Sequence, residues 1–143
     1  MILYLDTSAL VKRYFQEPYS DEIIARWKSA VQIVTSFVAY AETMASLYRK
    51  KREAELADTL IREIAGSFLR DWESFIRVEV NGELNGYIDR VVEKYPFRGF
   101  DAIHLASALA IREMLPEDFV FACFDDRLSR AARSEGLQTF PPG

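Results

Sequence analysis

The sequence has very little cysteine and histidine, which limits the kinds of site it can build. Among its 143 residues it has one cysteine, Cys123, and one histidine, His104. One cysteine allows no disulfide within the chain, and structural zinc sites need several cysteine or histidine ligands. Because Phe121, Ala122 and Phe124 are apolar neighbours of Cys123 in the sequence, we expect a buried structural thiol.

Long hydrophobic runs and an excess of positive charge are also missing. No apolar run approaches the roughly 20 residues that a helix needs to cross a bilayer, and the start does not resemble a secretory signal. We therefore expect a cytoplasmic protein without a membrane partner. The formal net charge of −4 argues against binding nucleic acid by total charge alone, but it allows a local basic patch or a bound cation. The length and the 50% hydrophobic content predict one domain, residues 1–143.

Short apolar runs alternate with longer amphipathic segments along the chain. Strands are predicted at residues 2–5, 31–35, 75–80 and 119–124, with a short edge strand at 137–140. Helices are predicted at residues 8–15, 20–29, 36–52, 53–72 and 100–114. A further helix ends at about residue 95 and begins at Asn81 or Asn85, and the last helix is capped by Asp125 or Asp126 and ends at residue 134. Strands that are apolar without alternation are typical of a parallel sheet with helices on both faces. The pattern therefore predicts an α/β fold with a central, mainly parallel sheet.

Acidic residues recur where strands end or where the following helices begin. Asp6 follows the first strand, Glu42 lies in the helix after the second, Asp101 opens an alanine-rich helix, and Asp125 follows the fourth strand. Carboxylates that converge repel one another, and a hard divalent cation such as Mg²⁺ or Mn²⁺ relieves the repulsion. Such a site favours hydrolysis of a phosphodiester. The alternative is structural: Asp6 and Asp125 as helix caps, Asp101 as a partner of the helix dipole, and Glu42 as a solvated side chain.

Four neighbours are candidates to support these acids. Thr7 and Ser8 can order the site through their hydroxyls, or can simply cap the first helix. His104 lies one turn after Asp101 and can hydrogen-bond an acid or contact a phosphate, or can be a structural histidine. Asp126 lies beside Asp125, so one of the two can bind a cation while the other caps a helix.

The motifs resemble those of a known family. These are Leu-Asp-Thr-Ser-Ala-Leu at residues 5–10, Glu42 in a helix after Ser36, Asp-Ala-Ile-His-Leu-Ala at residues 101–106, and Phe-Asp-Asp-Arg-Leu at residues 124–128. In this order and at this spacing, they resemble PIN-domain nucleases, especially the VapC-type toxins of toxin–antitoxin pairs. The likeness covers nearly the whole chain. It implies a three-layer α/β/α sandwich.

The resemblance also implies an activity and partners. It implies an endoribonuclease that depends on Mg²⁺ or Mn²⁺, with Asp6, Glu42, Asp101 and Asp125 matching the family's acidic quartet and Thr7 or Ser8 its supporting hydroxyl. It implies a homodimer and a small antitoxin that covers the toxin, with the helical hairpin at residues 38–68 forming part of the groove. Asp126 departs from the family pattern, so the fourth acid can be shared.

RNA would need basic side chains near so acidic a cleft. The candidates are Lys12, Arg13, Arg49, Lys50, Lys51, Arg98, Arg127 and Arg130, and each can instead be an ordinary solvated charge. Two other functions remain open. One is a catalytically silent protein-binding module, and the other is a metal-dependent nuclease or phosphatase acting on a different phosphoester.

Overall fold

The structure is a computed structural model that describes all of residues 1–143. Its strands are β1 (Ile2–Leu5), β2 (Gln32–Ser36), β3 (Ile76–Val78), β4 (Phe119–Ala122) and β5 (Gln138–Phe140). Its helices are α1 (Thr7–Leu10), α2 (Ser20–Ser29), α3 (Val38–Glu53), α4 (Asp58–Ser74), α5 (Asn85–Lys94), α6 (Gly99–Met114) and α7 (Asp126–Ser134). A 3₁₀ turn, Val11–Arg13, follows α1 directly.

The strands form one parallel sheet in the order β3-β2-β1-β4-β5. The first strand is central: Leu3 is in register with Ile33 of β2 on one side and with Val120 of β4 on the other. The chain first builds the sheet outward from β1 through β2 to β3, and it then returns to place β4 on the other side of β1. The strand order therefore reverses between β1 and β4, which is where open α/β sheets form a ligand crevice.

Both faces of the sheet are covered, and alternate residues of each strand enter opposite cores. Tyr4 of β1 and Phe121 of β4 enter a core of 17 buried residues with α5, α6 and α7. Leu5 enters the other core, of 13 buried residues, with helices that include α2 and α4, where Phe68 and Trp72 pack. The predicted α/β/α sandwich with a parallel central sheet is confirmed. The expected buried thiol is also confirmed, since Cys123 is fully buried.

The helical segments differ from the predicted ones at their ends. The first is shorter than residues 8–15, because the α-helix ends at Leu10 and continues only as the 3₁₀ turn. The second helix of the hairpin begins at Asp58 rather than at residue 53, because Glu55 takes a left-handed conformation (φ 51°) that ends the preceding helix. Leu47 of α3 packs against Ile61 of α4 and closes the hairpin. None of the helices combines the length and the apolar character needed to span a membrane.

Candidate active site

The loop after β1 supplies the most deeply buried acid of the crevice. Asp6 caps α1: its Oδ1 accepts a hydrogen bond from the Ala9 amide at 3.0 Å and another from the Ser8 hydroxyl at 2.7 Å. The Ser8 Oγ in turn accepts from the amide of Phe124 at 2.9 Å. Ser8 therefore ties the end of β1 to the segment that follows β4, across the point where the strand order reverses.

Residues of α1 and α6 form hydrogen bonds with the carboxylate of Glu42, which lies in α3. Its Oε1 accepts a hydrogen bond from Thr7 Oγ1 at 2.7 Å and lies 2.8 Å from His104 Nε2. The other ring nitrogen of His104, Nδ1, lies 2.9 Å from the hydroxyl of Tyr4, and both residues are buried. A continuous chain of hydrogen bonds thus runs from the core through His104 to Glu42. It fixes the carboxylate of Glu42, which the sequence alone could equally present as a solvated side chain.

Asp101 and Asp125 border the same groove. One depression of about 390 Å³ is lined by Glu42, Arg98, Phe100 and Asp101, with Gly99. The next, of about 120 Å³, again includes Arg98 and Asp101 and adds Asp125. Asp125 caps α7 through its Oδ1, which accepts from the Leu128 amide at 2.8 Å, whereas Asp101 accepts no hydrogen bond.

Asp126 does not join this groove. It borders a separate depression with Tyr19 and Arg133. Of the two adjacent acids, the structure therefore brings Asp125, and not Asp126, to the other predicted acids.

Burial and mutual repulsion set the charge state of the acids. Burial raises the pKa of Asp6, although His104 and Ser8 act in the opposite direction. Burial also raises the pKa of Asp101, and so does the negative charge of Asp125. Asp6 and Glu42 add to this repulsion at Asp101, so the four acids lie close enough to affect one another.

Glu42 behaves differently. Burial opposes its ionisation, but the hydrogen bonds from His104 and Thr7 outweigh burial, and the pKa of Glu42 is lowered. The groove thus combines one carboxylate held in its ionised form with two, Asp6 and Asp101, for which ionisation is costly.

The donor set fits a hard cation through its chemistry, although the side chains form no ready-made cage. No three His, Cys, Asp or Glu side chains are arranged to hold a metal ion by themselves. However, Glu42 and Asp125 each have an oxygen, Oε2 and Oδ2, that accepts no hydrogen bond, and both oxygens of Asp101 are free. Mg²⁺ binds through one or two carboxylates and keeps several of its waters, so this looser arrangement of oxygens suits it.

The basic residues fall into two groups. Arg98 and Arg127 border the acidic groove, and their binding of substrate stays a prediction. Lys12 and Arg13 do not border it. Lys12 Nζ lies 3.7 Å from a Glu17 oxygen, and Arg13 is held by Asp71.

Their pairing gives Lys12 and Arg13 a structural role beside α2. Arg13 Nε donates to Asp71 Oδ2 at 2.9 Å, and its guanidinium lies 4.4 Å from the centre of the Trp27 ring. The prediction that these two residues bind substrate therefore gains no support from their positions. Lys50 and Lys51 are likewise paired with acids, Glu17 and Asp58.

Sequence reasoning missed Tyr4. Its polar hydroxyl within an otherwise apolar strand was the available signal, because a buried tyrosine hydroxyl needs a partner. It also did not foresee the largest depression, of about 540 Å³ beside Leu84, Tyr87 and Met114. That depression has none of the predicted acids.

Comparison with known proteins identifies the family. A family model described as "PIN domain" matches residues 3–134 of the chain. The chain belongs to the PIN-domain family. It is 31% identical to Ribonuclease VapC49 of Mycobacterium tuberculosis over 144 residues, which cover 98% of this chain and 95% of that protein.

Solved structures share the PIN fold. VapBC2 from Rickettsia felis, solved with a DNA fragment from its promoter, superposes with a TM-score of 0.66 at 12% identity and covers 97% of both chains. A toxin–antitoxin complex from Klebsiella pneumoniae superposes with a TM-score of 0.61 at 14% identity and covers 86% of both chains. At such low identity these structures support the fold alone.

Proposed function

We propose that this chain is an endoribonuclease that hydrolyses RNA phosphodiesters and acts as the toxin of a toxin–antitoxin pair. The observation that carries the proposal is the groove in which Glu42, Asp101 and Asp125 meet beside the buried Asp6. Membership of the PIN-domain family and the ribonuclease name of a relative of 31% identity support it.

The acids have different tasks in this proposal. Asp101 and Asp125 offer free oxygens to a cation and to its waters, while Glu42 is kept ionised and in place by Thr7 and His104. When bound, Mg²⁺ or Mn²⁺ supplies a Lewis acid that lowers the pKa of a water and neutralises charge on the phosphate.

Asp6 and Ser8 connect the strand ends beside the groove. Because the Asp6 carboxylate and the Phe124 amide both bond to the Ser8 hydroxyl, the ends of β1 and β4 keep a fixed separation. Catalytic groups need this kind of support, since small displacements of the reacting groups are costly to the rate.

Cleavage of a labelled single-stranded RNA with Mg²⁺ or Mn²⁺ tests the proposal. We expect products with 5′-phosphate and 3′-hydroxyl ends, no cleavage in EDTA, and a loss of at least a hundredfold in Asp101→Asn. Asp89→Asn is the matched control, because Asp89 is an exposed acid of α5 outside the groove and its loss should leave the rate unchanged. Normal cleavage by Asp101→Asn would refute the site assignment.

Parallel assays separate the other activities. Single-stranded DNA and a small phosphomonoester are offered under the same conditions, and preferential turnover of either would replace RNA as the substrate. A protein that binds no Mn²⁺ in calorimetry and cleaves none of the three would be a binding module instead.

We also propose a small antitoxin as the partner, a homodimer as the assembly and the cytoplasm as the location. The family resemblance and the similarity in fold to a toxin–antitoxin complex support the first of these. Light scattering of the chain, alone and with the product of a neighbouring reading frame, tests both assemblies.

A further inference from the structure

The acidic groove continues into a third depression that no predicted acid borders. This depression, of about 240 Å³, lies beyond Asp125 and shares Pro96, Phe97 and Arg127 with the second depression of the groove. Its other lining residues are Tyr95, Arg130, Ala131 and Ser134. We call Tyr95, Phe97, Arg127 and Arg130 the arginine–aromatic end of the groove.

The arginines at this end are exposed and free of acidic partners. Arg127 and Arg130 form no ion pair, and the single hydrogen bond of Arg127 goes to the carbonyl of Pro96 at 3.4 Å. Arg98, between this end and the acids, is also exposed and forms no ion pair. By contrast, Arg13 is committed to Asp71. The exposed guanidiniums are therefore available to an anionic ligand.

The helix dipole does not explain the arginine at position 127. Arg127 lies in the first turn of α7, where the dipole disfavours a positive charge. Arg130 follows three residues later on the same face and repels Arg127, although Asp126, four residues before Arg130, is a favourable neighbour for it. A bound anion would offset the cost of Arg127 to its own helix.

The aromatic side chains add a flat surface. The rings of Tyr95 and Phe97 are stacked, with centroids 5.5 Å apart and planes at 27°. Both are partly exposed, and the Tyr95 hydroxyl is anchored to Glu135 Oε2 at 2.7 Å. Aromatic rings next to arginines are the usual means of holding single-stranded nucleic acid, since bases stack on the rings while phosphates meet the cations.

We propose that the arginine–aromatic end binds the single-stranded RNA that flanks the bond to be cut, with Arg127 and Arg130 on phosphates and Phe97 against a base. This inference rests on the proposed ribonuclease function and extends it to a substrate subsite. An acidic peptide would also meet the arginines, but it would gain nothing from a stacking surface, so RNA is the occupant that uses the whole of this end.

The test measures binding apart from cleavage. Fluorescence anisotropy with a labelled 12-nucleotide oligouridylate in EDTA compares the wild type with Arg127→Gln/Arg130→Gln. We expect affinity to fall about tenfold or more, and the slope of log affinity against log salt to decrease by about 0.7 for each lost phosphate contact. The double variant Arg62→Gln/Arg70→Gln is the matched control, since it removes two exposed arginines of α4 that do not border the groove.

Phe97→Leu tests the stacking surface without changing charge. We expect its affinity for oligouridylate to fall fivefold or more with an unchanged salt slope, and its affinity for an abasic strand of equal length to remain that of the wild type. Circular dichroism and urea unfolding show that each variant is folded.

The outcomes separate the two proposals. Normal cleavage by the wild type, with the arginine variant equal to its control in affinity, slope and KM, overturns the subsite alone. Weakened RNA binding by the variants of a protein that never cleaves RNA supports RNA binding at the arginine–aromatic end and refutes the ribonuclease function. Binding of a labelled oligoglutamate peptide in place of oligouridylate overturns the inference in favour of an acidic protein partner.

Discussion

Replacing Asp6 by asparagine should make the protein more stable while removing its proposed activity. Asp6 is 5% exposed, so its negative charge is held almost out of water. Both hydrogen bonds that it accepts, from Ser8 and from Ala9, end on the same oxygen, Oδ1. An asparagine side chain has one carbonyl oxygen and can accept both bonds, so the helix cap is retained without the charge.

Two effects of opposite sign decide the magnitude. Hydrogen bonds to a charged acceptor contribute about 1.5–3 kcal/mol each and neutral ones about 0.5–1.5, so the substitution weakens two bonds by roughly 2–3 kcal/mol in total. Against this, a buried charge costs several kcal/mol of desolvation. The raised pKa of Asp6 means that desolvation is the larger effect. We therefore expect a net stabilisation of about 1 kcal/mol, or roughly 2–4 °C in melting temperature.

Thermal unfolding in EDTA at neutral pH is the assay, and Asp6→Ala is the control. Alanine removes the charge as asparagine does, but it also removes the acceptor that caps α1, which costs about 0.5–2 kcal/mol. Asp6→Asn should therefore unfold at a higher temperature than Asp6→Ala. It should also unfold at a higher temperature than the wild type.

The pH dependence checks the cause. Because the pKa of Asp6 is raised on folding, the folded wild type gains stability from protonated Asp6 at low pH and loses it as pH rises from about 4, the unfolded value, through the folded value. The excess stability of Asp6→Asn over the wild type should therefore increase with pH over this interval and vanish below it. An asparagine variant less stable than the wild type at neutral pH would refute the reasoning.

Two further predictions concern residues around the site. Tyr4→Phe removes the hydroxyl that lies 2.9 Å from His104 Nδ1 and leaves a buried polar atom without its partner. The variant should therefore be less stable than the wild type by about 1–3 kcal/mol. An unchanged midpoint of urea unfolding would contradict this. Arg13→Met removes the contacts with Asp71 and Trp27, and it should lower the free energy of unfolding by about 1 kcal/mol without changing the affinity for RNA. A loss of affinity in the anisotropy assay would instead mean that Arg13 binds substrate.

The sheet could be predicted because its strands are buried on both faces. Ile2–Leu5 and Phe119–Ala122 are apolar without alternation, and only a sheet covered on both sides buries every residue of such strands. Strand order could not be derived in the same way. That β4 returns beside β1 depends on crossovers whose cost is shared among many contacts, and no single residue encodes it.

The acids of the candidate site could be predicted from the sequence, but the hydrogen bonds that hold them could not. Asp6 and Asp125 could be identified as candidates because each follows a buried strand. Nothing in the sequence indicates that His104 and Thr7 both hydrogen-bond to one oxygen of Glu42. That contact joins three helices, so it depends on their packing. In the sequence the adjacent residues Asp125 and Asp126 are equivalent candidates. Only the structure separates them, because Asp125 borders the groove and Asp126 borders a different depression.

The stability of the Asp6 variant also provides a test of whether the acids share a cation. A divalent ion held by the groove would offset the charge that burial makes costly, so Mg²⁺ or Mn²⁺ should raise the melting temperature of the wild type. Asp6→Asn has less negative charge for the ion to offset, so its melting temperature should rise less. The difference in melting temperature between the variant and the wild type should therefore become smaller as the ion is added. Asp89→Asn, with an exposed acid removed elsewhere, should follow the wild type throughout. A difference that stays constant across the titration would mean that the cation does not act on the buried acid.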